Sequence, residues 1–314
     1  MEIILSIFLF VLGLAILIKG SDFFVDSAAF IARHFGVSKL IIGLTLVSMG
    51  TSLPELGASV YASYTGEGGI AVGNVVGSNI TNIALVLGIC LIFRQISVKN
   101  VRRDGLVMLG VSLLFILFVF NGIARWEGLL LMILFVIYMF FLYRQNKIEK
   151  RNNNNNNNDV AIKKDKKGLA RAVALLVIGC IGVFLGSKLL VDSAVDISFE
   201  FGISKAVIGS TLVAFGTSVP ELTVSLVAIL KKHEDISIGN IIGSNIFNIL
   251  WVIGAAALVS SLAVDSLLFY INIPIMILGA GLLLIFMFTG RKLQRWEGIV
   301  FVAIYAIFLW LNFG

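Results

Sequence analysis

The feature that most narrows what this chain can become is a motif that occurs twice. Gly43-Leu-Thr-Leu-Val-Ser-Met-Gly-Thr-Ser-Leu-Pro-Glu55 recurs as Gly209-Ser-Thr-Leu-Val-Ala-Phe-Gly-Thr-Ser-Val-Pro-Glu221. Gly73-Asn-Val-Val-Gly-Ser-Asn-Ile-Thr-Asn82 recurs as Gly239-Asn-Ile-Ile-Gly-Ser-Asn-Ile-Phe-Asn248, and both pieces are displaced by 166 residues. One displacement shared by two separated pieces marks the duplication of a structural unit. Each copy places a glutamate inside a long apolar stretch, directly behind Gly-Thr-Ser-x-Pro. A carboxylate in hydrocarbon is costly unless something compensates it, so such a residue marks a functional site. Glu55 and Glu221, at equivalent positions of a duplicated unit, point to one shared cation site.

Hydrophobic residues make up 59% of the 314 and charged residues 13%, with a mean hydropathy of +1.02, which excludes a soluble globular protein. The 31 glycines suit close helix packing in lipid. The net charge of +6 does not indicate nucleic acid, because the basic residues sit in short connections between apolar runs. Met1-Glu2 leads straight into an apolar run without a basic leader or cleavage site, which reads as a retained first span. Cys90 and Cys180 fall in apolar stretches and read as packing residues.

The apolar runs parse into ten spans, at about 3–20, 38–64, 70–93, 105–121, 127–143, 169–190, 204–231, 237–262, 267–289 and 296–312. The expected fold is therefore an all-α membrane protein of ten transmembrane helices. Residues 1–144 form a first five-helix repeat and 169–314 a second, and the odd number of spans per repeat makes them inverted relative to each other. The second and seventh spans should break midway, where Gly50 to Pro54 and Gly216 to Pro220 interrupt the helical ladder. Residues 145–168 contain seven consecutive asparagines at 152–158 flanked by lysines, and read as a flexible tether. Eight Lys or Arg against three acids between Lys147 and Arg171 place that tether in the cytoplasm and both termini outside the cell membrane. Trp126-Glu-Gly128 and Trp296-Glu-Gly298 open the last span of each repeat, and the tryptophans read as interfacial anchors.

Around the glutamates the sequence offers oxygen. Thr51, Ser52, Thr217 and Ser218 supply hydroxyls, and each helix break frees backbone carbonyls. The second pieces add Asn74, Ser78, Asn79 and Asn82, and Asn240, Ser244, Asn245 and Asn248. Ser78 shares a helix face with Asn82, as does Ser244 with Asn248, whereas Asn79 and Asn245 are the members expected to join helices. An all-oxygen set with two carboxylates suits Ca²⁺, which takes about six to eight oxygens, better than a soft transition metal. Two carboxylates neutralise one Ca²⁺, while three Na⁺ at the same oxygens leave one positive charge, so exchange of these loads is expected to be electrogenic.

These paired stretches resemble the two alpha-repeats of the cation/calcium antiporter superfamily, in particular its prokaryotic sodium/calcium exchanger branch. The resemblance extends over essentially the full chain. It implies a ten-helix inverted-repeat fold, alternating access by sliding of a two-helix gate, and exchange of Na⁺ for Ca²⁺ without a cofactor. By motif position it makes Glu55 and Glu221 the principal ligands of both ions. It assigns oxygens of Thr51, Ser52, Ser78, Thr217, Ser218 and Ser244 to flanking Na⁺ sites, carbonyls to Ser48 and Ala214, and an amide near the central site to Asn82. Asn74, Asn79, Asn240 and Asn245 would stand behind these ligands. Asn248 departs from the pattern, since many members carry aspartate there, and this argues against K⁺ co-transport. Proton/calcium antiporters share the fold and the paired glutamates, so H⁺ is the alternative coupling ion. The expected working unit is a monomer surrounded by membrane lipid.

Overall fold

The computed structural model describes residues 2–98, 101–154, 166–200, 216–264, 266 and 268–313. The first half of the expected seventh span, with Ala214, lies outside the described residues. So do the asparagines from Asn155 to Asn158.

Two long helices, α1 (Glu2–Phe35) and α9 (Lys166–Glu200), pack along one another. Both outrun the spans 3–20 and 169–190 expected from hydropathy. In α1 hydropathy falls at Lys19, Asp22 and Asp26, yet none of these ends the helix. Asp22 and Asp26 turn to one side and pair with Lys231 at 3.2 and 2.8 Å. In α9, Ser193 donates to the Leu189 carbonyl one turn back and stays buried within the helix. At about 1.5 Å per residue, α1 is about 50 Å long, more than the thickness of a bilayer core. The contact between the two helices is backbone to backbone. A Cβ added at Gly13 would lie 2.7 Å from the Leu190 nitrogen, and one at Gly186 would lie 2.5 Å from the Leu17 nitrogen.

The second span is broken. Helix α2 (Lys39–Ile42) continues through a π-helical stretch, Gly43–Val47, into α3 (Ser48–Thr51). After Ser52 the chain restarts as α4 (Leu53–Tyr64), bent by 47° from the first half. Proline starts the new helix because its missing N–H falls among donors that have no intrahelical partner there. Ser218 and α10 (Val219–Leu230) repeat the arrangement, with Ser218 at φ −91° and ψ 1° against −89° and 13° for Ser52.

The third and eighth spans form the centre. Helix α5 (Gly68–Ile80) passes through a π-helical segment, Thr81–Leu87, into α6 (Gly88–Phe93). Its counterpart is α11 (Glu234–Phe247), a π-helical Asn248–Val252 and α12 (Ile253–Val259). These two spans are 78% and 83% buried, against 22% for α1, so they are enclosed by protein while α1 faces lipid. Around them stand α7 (Arg102–Val119), α8 (Arg125–Asn154), α13 (Ile273–Thr289) and α14 (Arg295–Phe313). Among the described residues seven helices are long and apolar enough to cross a membrane, and the bent pair adds an eighth. Helix α7, which opens on Arg102, Arg103 and Asp104, and the short α10 occupy the places of the fourth and seventh spans.

Helix α8 runs on to Asn154, past the boundary at 144 where the tether was expected to begin. Arg144, Gln145, Lys147, Glu149 and Lys150 are good helix formers, and extending an existing helix avoids the cost of nucleation.

The loops reproduce the inverted symmetry in a way the sequence did not announce. Strand β1 (Ile96–Ser97) pairs antiparallel with β2 (Lys292–Leu293), with Ile96 opposite Leu293. Ile123 and Leu262, their equivalents in the other repeat, exchange the same backbone bonds. Glu127 and Glu297 each reach back to a backbone N–H at the start of their helix, accepting from Ala124 and Gln294 at 2.7 Å in both cases. Gly128 packs on Gly254, and Gly298 on Gly88, while Trp126 and Trp296 remain exposed. The glutamate and glycine of each Trp-Glu-Gly therefore cap and pack, beside an outward tryptophan.

Candidate cation site

Glu55 and Glu221 sit in the first turns of α4 and α10, and both are fully buried. A carboxylate near a helix N-terminus faces free N–H groups and the positive end of the helix dipole. That stabilises its charge but does not neutralise it. The two glutamates belong to one place: Ser52 Oγ, three residues before Glu55, donates to Glu221 Oε1 at 2.8 Å. The Glu221 carboxylate lies within electrostatic reach of Glu55. Ser78 Oγ from α5 donates to Glu55 Oε1 at 3.4 Å.

The other residues of the motif fall into two groups. Some are engaged with protein. Ser48 donates to the Leu44 carbonyl at 2.9 Å, and its own carbonyl accepts from the Ser52 N–H at 3.0 Å. Thr51 donates to Asn240 Oδ1 at 3.1 Å, and Thr217 to Asn74 Oδ1 at 3.5 Å, so each threonine meets an amide of the opposite repeat. Asn79 donates to the Asn245 carbonyl at 3.3 Å and accepts from Asn248 Nδ2 at 3.1 Å, which ties the two central spans together. Asn245 donates to the Ile241 carbonyl of its own helix.

The second group is buried without a protein hydrogen-bond partner among the described residues. It comprises Glu55 Oε2, Glu221 Oε2, Ser218 Oγ, Ser244 Oγ, Asn248 Oδ1 and both polar atoms of Asn82. Buried polar atoms are ordinarily satisfied, so oxygens of this kind on a repeated motif are candidate ion ligands. Among the described residues no cluster of three or more His, Cys, Asp or Glu occurs, and the donor set is oxygen throughout.

Sequence reasoning missed two features. The π-helical segments begin at Thr81 and Asn248, so Asn82 and Asn248 lie where the helix is widened, as is frequent at functional sites. The second is Ser59 with Ser225, buried and four residues beyond each glutamate, which accept from Asn74 and Asn240 at 2.9 Å. Their 166-residue spacing was the signal that could have found them.

At the start of the second span, Lys39 Nζ lies 3.0 Å from Nδ1 of His233, the residue that precedes α11. Burial first, and then the Lys39 charge, hold the His233 imidazole below its usual range, which leaves it neutral as an acceptor.

Two buried carboxylates at the breaks of two equivalent helices, surrounded by hydroxyls and amides from both repeats, define an inverted-repeat cation transporter. Residues 5–144 and 171–314 match the family of the sodium/calcium exchanger protein. Sodium/calcium exchanger MaX1 of Methanosarcina acetivorans is 36% identical over 98% of both chains. The uncharacterized membrane protein MJ0091 of Methanocaldococcus jannaschii is 42% identical over 97% of both. The solved structure of the sodium-calcium exchanger NCX_Mj soaked with 10 mM Na⁺ and zero Ca²⁺ superposes with a TM-score of 0.86 at 38% identity, covering 97% of this chain and 98% of that one. The chain belongs to the sodium/calcium exchanger family, and its fold is all-α with ten spans in two inverted repeats of five.

Proposed function

We propose that the protein is a secondary active antiporter that exchanges Na⁺ for Ca²⁺ across the membrane by alternating access. The observation that carries this reading is the bond from Ser52 of one repeat to Glu221 of the other, which joins two buried carboxylates in one oxygen-lined site. The work is transport, with Na⁺ and Ca²⁺ as cargo, and no bond is made or broken. Ca²⁺ crosses balanced by Glu55 and Glu221. Three Na⁺ return at oxygens that include Thr51, Ser52, Ser78, Thr217, Ser218 and Ser244, with Ser48 and Ala214 offering carbonyls and Asn82 and Asn248 amides. That load carries one net charge, so each cycle is electrogenic, at about 2.3 kcal/mol per 100 mV.

In vesicles loaded with Na⁺, an outward Na⁺ gradient drives uptake of radiolabelled Ca²⁺ without added K⁺, and clamping the potential shifts the reversal condition. Uptake driven equally well by a proton gradient in Na⁺-free medium would establish the H⁺/Ca²⁺ reading instead.

The two repeats work as a monomer in lipid without a nucleic-acid partner, with the connection between α8, which ends at Asn154, and α9, which starts at Lys166, in the cytoplasm and both termini outside. Lys147 and Glu67 are both exposed. Cysteines replacing them, in a background lacking Cys90 and Cys180, label from opposite faces of the membrane, Lys147→Cys from the cytoplasm. Labelling of both from one face would defeat this orientation.

A further inference from the structure

Helices α1 and α9 meet the rest of the protein at two corners that the duplication makes equivalent, and the two corners differ. At one, α1 packs on α10: Val227 and Ala228 of α10 are buried in one apolar cluster with Ala28 and Ala32 of α1. At the other, α9 makes no comparable contact with α4 among the described residues. Tyr61, the equivalent of Val227, is 69% exposed, against 8% for Val227. One corner is closed and the other open.

A transporter of two inverted repeats changes the side it serves when the repeats exchange arrangements. In the alternate state α9 closes on α4 and α1 leaves α10. An interaction made at one corner and absent from the other therefore sets the balance between the two states.

Such an interaction is present. Lys231, which follows α10, reaches Asp26 at 2.8 Å and Asp22 at 3.2 Å on α1, and donates to the Asp22 carbonyl at 3.4 Å. Lys19, on α1 itself, reaches Asp22 at 3.7 Å. The chain turns in the same way at the end of α4, where Thr65 stands at φ −80° and ψ 0° against −82° and 7° for Lys231. The side chains there are different. Thr65 Oγ1 donates to the Tyr61 and Ala62 carbonyls of its own helix, and the positions of α9 that match Asp22 and Asp26 hold Lys188 and Asp192.

We infer that Lys231 is a positioning residue that pins α1 to α10 and biases the transporter toward the state open between α4 and α9, which faces outward in the orientation proposed above. This rests on the alternating-access reading. Moving α1 off α10 separates Lys231 from both aspartates, and closing α9 on α4 regains no ion pair, because threonine carries no charge. An ion that binds from one side has its apparent affinity lowered by the fraction of protein open to that side. The ratio of external to internal half-saturating Ca²⁺ thus changes by the same factor as the balance between the states.

The test measures that ratio for the full chain, from Na⁺-driven Ca²⁺ uptake into right-side-out and inside-out vesicles. Lys231→Gln raises it roughly three- to tenfold, as expected for a partly exposed group of charged hydrogen bonds. Lys231→Arg, which keeps the charge, restores the parent ratio. Asp22→Asn combined with Asp26→Asn raises it as Lys231→Gln does, and the triple variant goes no further. The aspartate variants also serve if Lys231→Gln does not fold. Thr65→Lys combined with Lys188→Asp supplies the missing pair at the open corner and raises the ratio as well. Lys232→Gln is the control for surface charge: Lys232 is exposed and makes no ion pair among the described residues, so the same charge leaves the same face and the ratio stays within about twofold. An unchanged ratio in Lys231→Gln, a shift in the opposite sense, an equal shift in Lys232→Gln, or no recovery with arginine would overturn the inference. The parent separates the two readings. If it shows no Na⁺-driven uptake, the proposed function fails and the inference with it; if it exchanges and Lys231→Gln keeps its ratio, only the role of Lys231 fails.

Discussion

Replacing Glu55 or Glu221 by glutamine abolishes Na⁺-driven Ca²⁺ uptake while leaving a folded, monodisperse protein. Glutamine keeps the length of the side chain and an oxygen that still accepts from Ser52 at Glu221 or from Ser78 at Glu55. Only the charge is lost. Two unit charges about 4 Å apart interact by about 4 kcal/mol at an effective dielectric constant of about 20. With about 1.4 kcal/mol per decade, removing one carboxylate from a divalent ion weakens binding by well over a hundredfold. The ion-free protein does not suffer, because one of two like charges has left a buried site where each was costly. The measurements are initial uptake rates and thermal melting with and without Ca²⁺. Each variant melts at or above the parent temperature without Ca²⁺, and the stabilisation that Ca²⁺ confers on the parent disappears. Exchange near the parent rate in both variants would remove the shared site from consideration.

The glutamates were legible because two independent signals met on them: a charge in an apolar run, and a duplication that placed it twice. The helix breaks were legible for a similar reason, since glycine, serine and proline at the same three positions of each copy oppose a continuous helix. Hydropathy failed where polarity is locally satisfied. Asp22 and Asp26 looked like the end of the first span, but they face Lys231 across a helix interface and the helix continues to Phe35. The π-helical segments at Asn82 and Asn248 leave no periodicity in so short a stretch. Ser59 and Ser225 were hidden because a lone serine in a membrane helix ordinarily bonds its own backbone, and only its partner on another helix reveals a different task. Ala214 and the first half of the seventh span lie outside the described residues.

The pairing of repeats that brings these residues together depends on glycine, and a single added side chain at Gly243 disrupts it. Helix α11 crosses the second span so closely that a Cβ at Gly243 would stand 2.6 Å from the Leu44 carbonyl oxygen and 2.7 Å from Ser48 Oγ. At Gly239 it would stand 2.7 Å from the Leu40 carbonyl oxygen, and at Gly43 2.7 Å from that of Ile236. Most of these neighbours are backbone, so no rotamer change relieves the overlap and the helices must separate. Apolar helices gain little from association in lipid beyond packing and polar contacts, so separation surrenders much of what holds them together. It also moves Asn240 and Ser244, on α11, away from Thr51 and Ser52, on and just beyond α3. Gly243→Val therefore costs about 1–3 kcal/mol or more and lowers exchange at least tenfold, with Gly243→Ala in the same direction and smaller. Gly110→Ala is the control: Gly110 is exposed on α7 with nothing within 4 Å of an added Cβ, and alanine favours a helix. Thermal melting and initial uptake rates on the three variants test the point, and a Gly243→Val protein that melts and transports like the parent would mean that the second and eighth spans are not held in this crossing.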